Sequence, residues 1–433
     1  MNMKIESCLM KKYDVIVVGA GAAGLIAAAR AAELGARVFL LEKMERAGRK
    51  LSITGKGRCN ITNDAPVSAF IDHIYPNGRF LRHAFSEFFV QDIINLLARY
   101  GVETVVERGG RIFPASNRAA DVVNALLQWV ISSKVEIRYQ CKIEKLLVSD
   151  QTITGVEAVC SGRKMIFNAD AVILCTGGCS YPATGSNGEG YKLVGPLGHI
   201  IEPVMPALVP IETEGSLAGR MQGLSLKNVK ALVWVNGKKL KEEFGEMLFT
   251  HFGLSGPIIL TLSRFIVDEL RKGKKVELTV DLKPALDEQK LDARLQRDLN
   301  ENGKKHLDNM FKDWLPAKMI PVFIDLLQLN PDKECHQVTS KERRKILLLM
   351  KDMRFRVTGH RSFKEAIITA GGIRTREINP KTMESKIIKN LYFAGELIDL
   401  DADTGGYNLQ IAWSTAWLAA SSCLSEKVLE RHI

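Results

Sequence analysis

Gly19-Ala20-Gly21-Ala22-Ala23-Gly24 places glycine at the first, third and sixth positions of one short window. Glycines at that spacing let a chain turn tightly after a strand, bring backbone N–H groups against a pyrophosphate, and pack the next helix close to the strand. The helix that starts there offers unbonded N–H groups and a partial positive charge to phosphate. Glu42, eighteen residues after Gly24, is placed to accept hydrogen bonds from a ribose diol. Such a site takes NAD or FAD, and two further segments speak for FAD. Gly48 to Asn60 (GRKLSITGKGRCN) is rich in glycine and cations, so its N–H groups and positive charge can wrap a pyrophosphate and a flavin edge. Gly395-Glu396, followed by Gly405-Gly406-Tyr407-Asn408-Leu409, sets a second helix start where it would stabilise the negative charge of a reduced flavin. Each segment also has a plainer reading, respectively an incidental glycine turn, a flexible basic surface loop and a glycine-capped core helix.

The elements that must hold these residues follow from periodicity. Tyr13 to Val18 (YDVIVV) is a short β-branched run ending in glycine, which predicts a buried parallel strand and a tight turn. Ala22 to Leu34 is Ala-rich and helical, and Arg37 to Leu41 is the next strand, so the opening is a βαβ unit. A loop over Gly48 to Asn63, a helix over about Phe80 to Tyr100, a hairpin at Val102 to Val106 and Arg111 to Pro114, and a helix over Ala119 to Ser132 follow. Alternating strands then lead to Ala171 to Cys175, which ends in Thr176-Gly177-Gly178 without opening a helix. From about 192 to 360 short strand-like runs with frequent Gly and Pro suggest a small barrel or sandwich. Leu291, Leu295 and Leu299 mark a charged helical module within it. Leu391 to Ala394 and an apolar helix from Leu409 return to the opening style, as expected of one α/β domain split by an insertion.

A chain of 433 residues exceeds what one hydrophobic core fills, which predicts two or three domains. With 46% hydrophobic and 25% charged residues, wholesale disorder is excluded. The most apolar candidate span, Leu25 to Leu41, is broken by Arg30, Glu33 and Arg37, and the first twelve residues carry no secretory pattern, so the expected location is the cytoplasm and not a membrane. Eight cysteines, at 8, 59, 141, 160, 175, 179, 335 and 423, form no CxxC pair, so neither a disulfide framework nor a metal site is expected. The net charge is +11, and residues 216 to 356 hold 27 Lys+Arg against 19 Asp+Glu. Two dense clusters, Arg271 to Lys275 and Lys341 to Lys345, suggest either a polyanionic partner such as RNA or a solvated surface.

On the segments VIVVGAGAAGL, GRKLSITGKGRCNITN, TGGCSYPATGSNGEGY, FTHFGLSGP, ITAGGI and FAGELIDLDADTGGYNLQIAWSTA, spread over residues 15 to 416, the chain resembles the BaiN-like, or YhiN-like, flavoproteins. That family shares its FAD-binding architecture with the fumarate reductase and succinate dehydrogenase flavoproteins. The resemblance implies an α/β fold, a Rossmann-like FAD-binding domain interrupted by a β-barrel and a small helical insert. The domains then fall at 1–192 with 358–433, at 193–283 with about 350–357, and at 284–349. It also implies FAD contacts at Gly19, Gly21, Ala22, Ala23, Gly24, Glu42, Lys43, Arg49, Lys50, Cys59, Asn60, the backbone of Ile143 at the adenine edge, Thr176, Gly177, Gly395, Glu396, Gly406, Tyr407, Asn408 and Leu409. No second GxGxxG is present, so NAD(P)H as reductant would visit the open flavin face transiently.

Flavin chemistry needs orientation, an anion-stabilising site and usually a proton donor from the protein. Cys59, between Lys56, Arg58 and the expected flavin, is one candidate donor, because a cationic setting lowers a thiol pKa; the plainer role is packing. Tyr181 is the alternative donor, in a loop where Ser180 and Ser186 could line a substrate pocket. His251 and His360, the latter beside Arg361, could bind an anion or carbonyl or be structural. The resemblance implies an NAD(P)H-driven reductase of an electron-poor C=C bond. Family members are connected both to uridine in ribosomal RNA, giving dihydrouridine, and to steroid-like enones. The basic surplus favours ribosomal RNA as partner. A second class of function, an RNA-binding or redox-sensing flavoprotein without turnover, is distinguished by NAD(P)H consumption.

Overall fold

The computed structural model describes residues 12–424; Cys8 and the charged residues before Lys12 lie outside that range. The described chain divides into two compact units, residues 12–205 with 367–424, and residues 206–366.

The first unit opens with β1 (Tyr13–Val18), α1 (Ala22–Glu33) and β2 (Val38–Leu41). All six residues of β1 are buried, as suits a parallel strand covered on both faces. The alanines of α1 let the helix lie close on the sheet, and its residues from Ala23 to Ala29 are all buried. Next come α2 (Arg49–Ile53), inside what the sequence suggested was loop, and then β3 (Thr62–Asn63), β4 (Ile74–Tyr75), β5 (Thr104–Glu107) and β6 (Arg111–Pro114). The helix expected over Phe80 to Tyr100 breaks at Phe88-Phe89, where the backbone is extended. The break has a packing reason. The Phe88 ring stacks on Trp417 at 4.4 Å, and its carbonyl, freed from helical bonding, accepts from Ser414 Oγ at 2.6 Å.

β7 (Glu136–Arg138), β8 (Cys141–Ser149), β9 (Thr152–Cys160) and β10 (Arg163–Leu174) complete most of the main sheet, whose order is β7-β2-β1-β10-β9-β8. β1 runs parallel to both neighbours, with Val15 opposite Val38 on one side and Ala171 on the other. β10 serves two ladders, antiparallel to β9 over its first half and parallel to β1 over its second. The cysteine expectation is corrected here: Cys141 and Cys160 face each other across β8 and β9 with Cα atoms 4.0 Å apart and are disulfide-paired. Direct opposition in an antiparallel pair brings together residues that sequence spacing keeps nineteen apart. β11 (Ile201–Ala207) then leads out of this unit.

The second unit is a closed barrel of six strands, β12 (Ile211–Thr213), β13 (Ser225–Val235), β14 (Lys238–Phe249), β15 (Gly253–Ser255), β16 (Val276–Asp281) and β17 (Met353–His360), in the order β12-β15-β14-β13-β16-β17. Helices α3 (Pro257–Arg271), α4 (Glu288–Glu301) and α5 (Ser340–Lys351) lie between its strands in sequence. Leu291, Leu295 and Leu299 of α4 are buried in one core with Val233 and Leu278 of the barrel. The cations of this unit are largely engaged. Arg343 binds Asp292 through two nitrogens at 2.9 and 3.1 Å, Arg344 meets Glu288 at 2.8 Å, and Lys272 and Lys274 hold Glu269 at 2.8 and 2.6 Å.

The chain returns to the first unit with β18 (Ile368–Ile373), which pairs with β11, then β19 (Leu391–Phe393), parallel to β10. β20 (Asp401–Ala402) pairs with β4, and α4-like amphipathy is absent from the last helix, α6 (Tyr407–Ser422), which is buried almost all round. No helix among the described residues is long and apolar enough to cross a membrane.

Candidate active site

The glycine window acts as its spacing requires. Gly19 has φ +97, and a Cβ there would stand 2.6 Å from the Cys175 carbonyl; a Cβ on Gly24 would stand 1.7 Å from the Gly19 carbonyl. A Cβ on Gly21 meets nothing within 4 Å, so this glycine faces open space, as a backbone approached by a ligand should. No side chain caps α1, which leaves the amides of its first turn, Ala22, Ala23 and Gly24, for a phosphate.

Glu42 follows β2 and bends back over this turn. Its Oε2 accepts from the Ala20 N–H at 2.7 Å and its Oε1 from the Met44 N–H at 2.8 Å. Burial still raises its pKa, against the pull of those two bonds and of Lys43. The Gln140 N–H donates to the Met44 carbonyl and the Cys141 N–H to the Glu42 carbonyl, which lays the start of β8, and so Ile143, along the same edge. Two other sequence-predicted groups are buried with no hydrogen-bond partner, Asn60 Oδ1 and Thr176 Oγ1. Thr176 follows Cys175, whose carbonyl packs on Gly19, so one orphaned group lies in the segment that packs on the open glycine turn, and the residues present fit FAD.

Lys50, Ser180, Glu396 and Thr369 converge beyond the carboxyl ends of β10 and β19, where ligands of open α/β sheets bind. The Lys50 ammonium donates to Glu396 Oε2 at 2.5 Å and also to the Ser180 hydroxyl. Ser180 donates to Glu396 Oε1 at 2.7 Å, and the same oxygen accepts from the Thr369 N–H at 2.9 Å. Thr369 Oγ1 in turn accepts from the N–H groups of Cys179 and Ser180 at 2.8 and 3.1 Å. Thr369, in the ITAGGI segment, was not singled out by its sequence; its polarity within an otherwise apolar, glycine-rich strand was the available signal.

The second helix start is also in place. Gly406 has φ +104 and packs so closely on Thr62 that a Cβ would stand 2.3 Å from that carbonyl. The first-turn amides of α6, on Tyr407, Asn408 and Leu409, have no side-chain cap. Asn408 fastens the preceding loop by binding both the N–H and the carbonyl of Ala402, at 2.9 and 2.7 Å. Asn63 Nδ2 donates to the carbonyls of Gly109 and Gly405, each at 3.0 Å, so one side chain ties the β5–β6 turn to this helix start. Gly395 closes the assembly, its N–H donating to Thr415 Oγ1 at 3.0 Å and its Cα facing Ala23.

Other predicted residues have surroundings of their own. Cys59 is 0% exposed, and burial pushes its thiol up to about 12, with the Thr54 hydroxyl as a small opposing influence. The expected cationic setting is not there, because Arg58 turns to Glu107, Asn117 and the Phe113 ring. A thiol sealed from solvent and so weakly acidic favours the packing role over proton donation, and leaves the Cys59 backbone as the part that could meet a cofactor. The Lys43 ammonium is held by Asn187 and Glu189 at 2.9 and 2.7 Å, and Arg49 by Glu45 at 2.9 Å, leaving chiefly their backbones for a cofactor. Gly177, at φ +71, turns the chain toward Ser186, whose hydroxyl binds the Gly178 carbonyl at 3.0 Å. Tyr181 is half-buried and held at a left-handed φ of 52, a conformation that costs energy in a residue with a side chain. In the second unit His360 bonds to the Arg361 carbonyl, and Arg361 is occupied by Glu212 and Glu365.

A family model described as "HI0933-like protein Rossmann domain" matches residues 13–422. The chain belongs to that family. One relative, the 3-dehydro-bile acid delta(4,6)-reductase of Clostridium scindens, is 32% identical over 93% of this chain and 97% of its own. Another, the ribosomal RNA dihydrouridine synthase of Escherichia coli, is 30% identical over 96% of this chain and all of its own. Among solved structures, 3-ketosteroid delta1-dehydrogenase from Sterolibacterium denitrificans superposes with a TM-score of 0.53 at 14% identity, covering 96% of this chain and 99% of that one. That likeness bears out the fold expected from the sequence, a Rossmann-like FAD-binding domain with a barrel. Within this family the chain is an FAD-dependent oxidoreductase.

Proposed function

We propose that the protein is an NAD(P)H-driven reductase of a C=C bond made electron-poor by a conjugated carbonyl, with uridine in ribosomal RNA as its favoured substrate. The observation that supports the reaction class is the Lys50–Ser180–Glu396 cluster, which sits next in sequence to Tyr181 and to Gly395, in the same unit as the uncapped start of α6. Both named relatives point to such bonds: a 3-oxo group conjugates with unsaturation at positions 4 and 6 of a bile acid, and the uridine C4 carbonyl conjugates with C5=C6. Bound FAD supplies hydride transfer from its N5. The first-turn amides of Tyr407, Asn408 and Leu409 stabilise negative charge at the cofactor mouth. Lys50, fixed by Glu396 and Ser180, keeps a positive charge there in one orientation. Tyr181 is the proton donor to the substrate carbon next to the carbonyl, a role to which the buried Cys59 thiol is less suited. NAD(P)H reaches the mouth transiently, and the protein works in the cytoplasm, where reductant and ribosomal RNA are both present.

A steroid-like enone is the second reading, favoured by the 32% identity to the bile acid reductase. The two separate by mass spectrometry of ribosomal RNA from cells with and without the gene. Loss of one dihydrouridine, restored by purified protein with NAD(P)H, supports the RNA substrate; an unchanged dihydrouridine content moves the assignment to the enone.

A further inference from the structure

If ribosomal RNA is the substrate, its phosphates need cations that are free to receive them and that stand near the cofactor mouth. The dense clusters at Arg271 to Lys275 and Lys341 to Lys345 fail the first requirement at their centres, because Arg343, Arg344, Lys272 and Lys274 are already in ion pairs. Another group meets both requirements. The β5–β6 turn, Arg108-Gly109-Gly110-Arg111, and the Gly55-Lys56-Gly57 turn ahead of Cys59 lie on the two sides of Phe113. Gly55 faces the Phe113 ring edge, with a Cβ there 3.6 Å from the ring, and Arg58 and Arg111 stand 4.1 and 5.9 Å from its centroid. Arg111 Nε donates to the Arg108 carbonyl at 3.1 Å, which fixes the two arginines on one turn. Lys56, Arg108 and Arg111 are exposed and, among the described residues, make no ion pair. The acids nearby are Glu107, which Arg58 already binds, and Asp64, whose N–H holds the Gly110 carbonyl at 2.7 Å. The balance is therefore positive. Asn63 connects this turn directly to Gly405 at the start of α6.

We infer that Lys56, Arg108 and Arg111 form a landing site for RNA phosphates beside the cofactor mouth, and that the basic helical insert is not the principal RNA contact. This rests on the RNA reading above. Two turns rich in glycine place three unpaired cations on one rim, a spacing of charge that suits a phosphate backbone more than a single small anion. The exposed Val105 and Val106 of β5 and Ile53 of α2, in segments next to these turns in sequence, make an anionic membrane surface the competing ligand.

The test measures binding of the FAD-loaded protein to ribosomal RNA from cells lacking the gene, and to vesicles containing phosphatidylglycerol, over a range of salt concentrations. Three forms are compared: the unchanged protein, Arg108→Ala with Arg111→Ala, and Arg343→Ala with Arg344→Ala. Bound flavin per chain checks folding of each. The inference predicts that the hairpin variant loses about tenfold in RNA affinity and that its salt slope falls by roughly 0.7 per lost phosphate contact, while the insert variant stays within about twofold. Equal loss in both variants, or loss in the insert variant alone, overturns the landing site but leaves the RNA substrate standing. If the unchanged protein binds vesicles but not RNA, or binds neither, the RNA reading falls and this inference with it.

Discussion

The cofactor mouth of the first unit and the charged surface of the second are both rich in polar side chains, and they use them in opposite ways. In the second unit acids and bases close in sequence or across neighbouring elements neutralise one another, as Arg343 does with Asp292 and Lys272 with Glu269. In the first unit, polar groups from remote segments meet at a few points, and several are left with capacity to spare: Asn60 Oδ1, Thr176 Oγ1 and two uncapped helix starts. The difference teaches that charge density alone does not mark a site. The second unit has orphaned buried groups too, Thr213 Oγ1 and Asp308 Oδ1, so one such group, at about 1–3 kcal/mol, marks nothing by itself; what marks a site is such capacity together with a glycine turn open to a ligand, as at Gly21.

Four substitutions or conditions sharpen or break that contrast. The largest effect belongs to Gly24→Val. Its Cβ would stand 1.7 Å from the Gly19 carbonyl, so α1 must leave the sheet, and the variant should emerge without flavin and melt far below the unchanged protein; retained flavin absorbance would undo the packing argument. Glu42→Ala comes next. It strands the Ala20 and Met44 N–H groups, with an expected cost of about 2–4 kcal/mol in stability and at least a tenfold loss in FAD affinity, read by denaturant melts and flavin titration. Cys59→Ala should cost about 1–2 kcal/mol through the cavity it leaves and change turnover by less than about twofold. A large fall in turnover with folding intact would return Cys59 to the chemistry.

The smallest effect is a pH dependence from a histidine outside the polar cluster of the mouth. His199 is buried between Glu377, 3.3 Å from its Nδ1, and Ser385, 3.0 Å from its Nε2, and burial lowers its pKa against the pull of Glu377. A histidine held neutral in the fold but protonated when unfolded contributes its full stability above the unfolded pKa of about 6.5 and loses it as pH falls below that value. Melting scans should therefore show a loss on acidification of at most about 1.4 kcal/mol per pH unit from this group. His199→Asn should flatten that dependence, and an unchanged acid slope would remove His199 as its source.

The sequence was legible where chemistry is local. The GxGxxG turn, Glu42 at the end of its strand and the glycine start of α6 are set by a few consecutive residues, so their types and spacing carried the geometry. The split α/β domain was visible too, because a short apolar strand ending in glycine, Leu391 to Gly395, returns after residue 390. What stayed hidden depends on contacts between distant segments. Lys50 and Glu396 are 346 residues apart and Ser180 and Glu396 are 216 apart, so no window contains the cluster they form. Arg343 and Asp292 are 51 residues apart, beyond any local window, and without their pairing the insert looks like an open basic surface. The setting of Cys59 was hidden for the complementary reason: its sequence neighbours are cationic, but Arg58 is bound elsewhere and the thiol is buried in the core.

The central claim is that this chain runs repeated reduction of a conjugated C=C bond. Its most direct test is anaerobic: the FAD-loaded protein is reduced with NADPH or NADH, ribosomal RNA lacking the modification or a steroid-like enone is added, and flavin absorbance and product mass are followed. The account predicts that absorbance returns with one of these acceptors and that the product gains two hydrogens per turnover, with NAD(P)H consumed in proportion. Flavin that is reduced once and stays reduced with both acceptors, reoxidising only when oxygen is admitted, would contradict it.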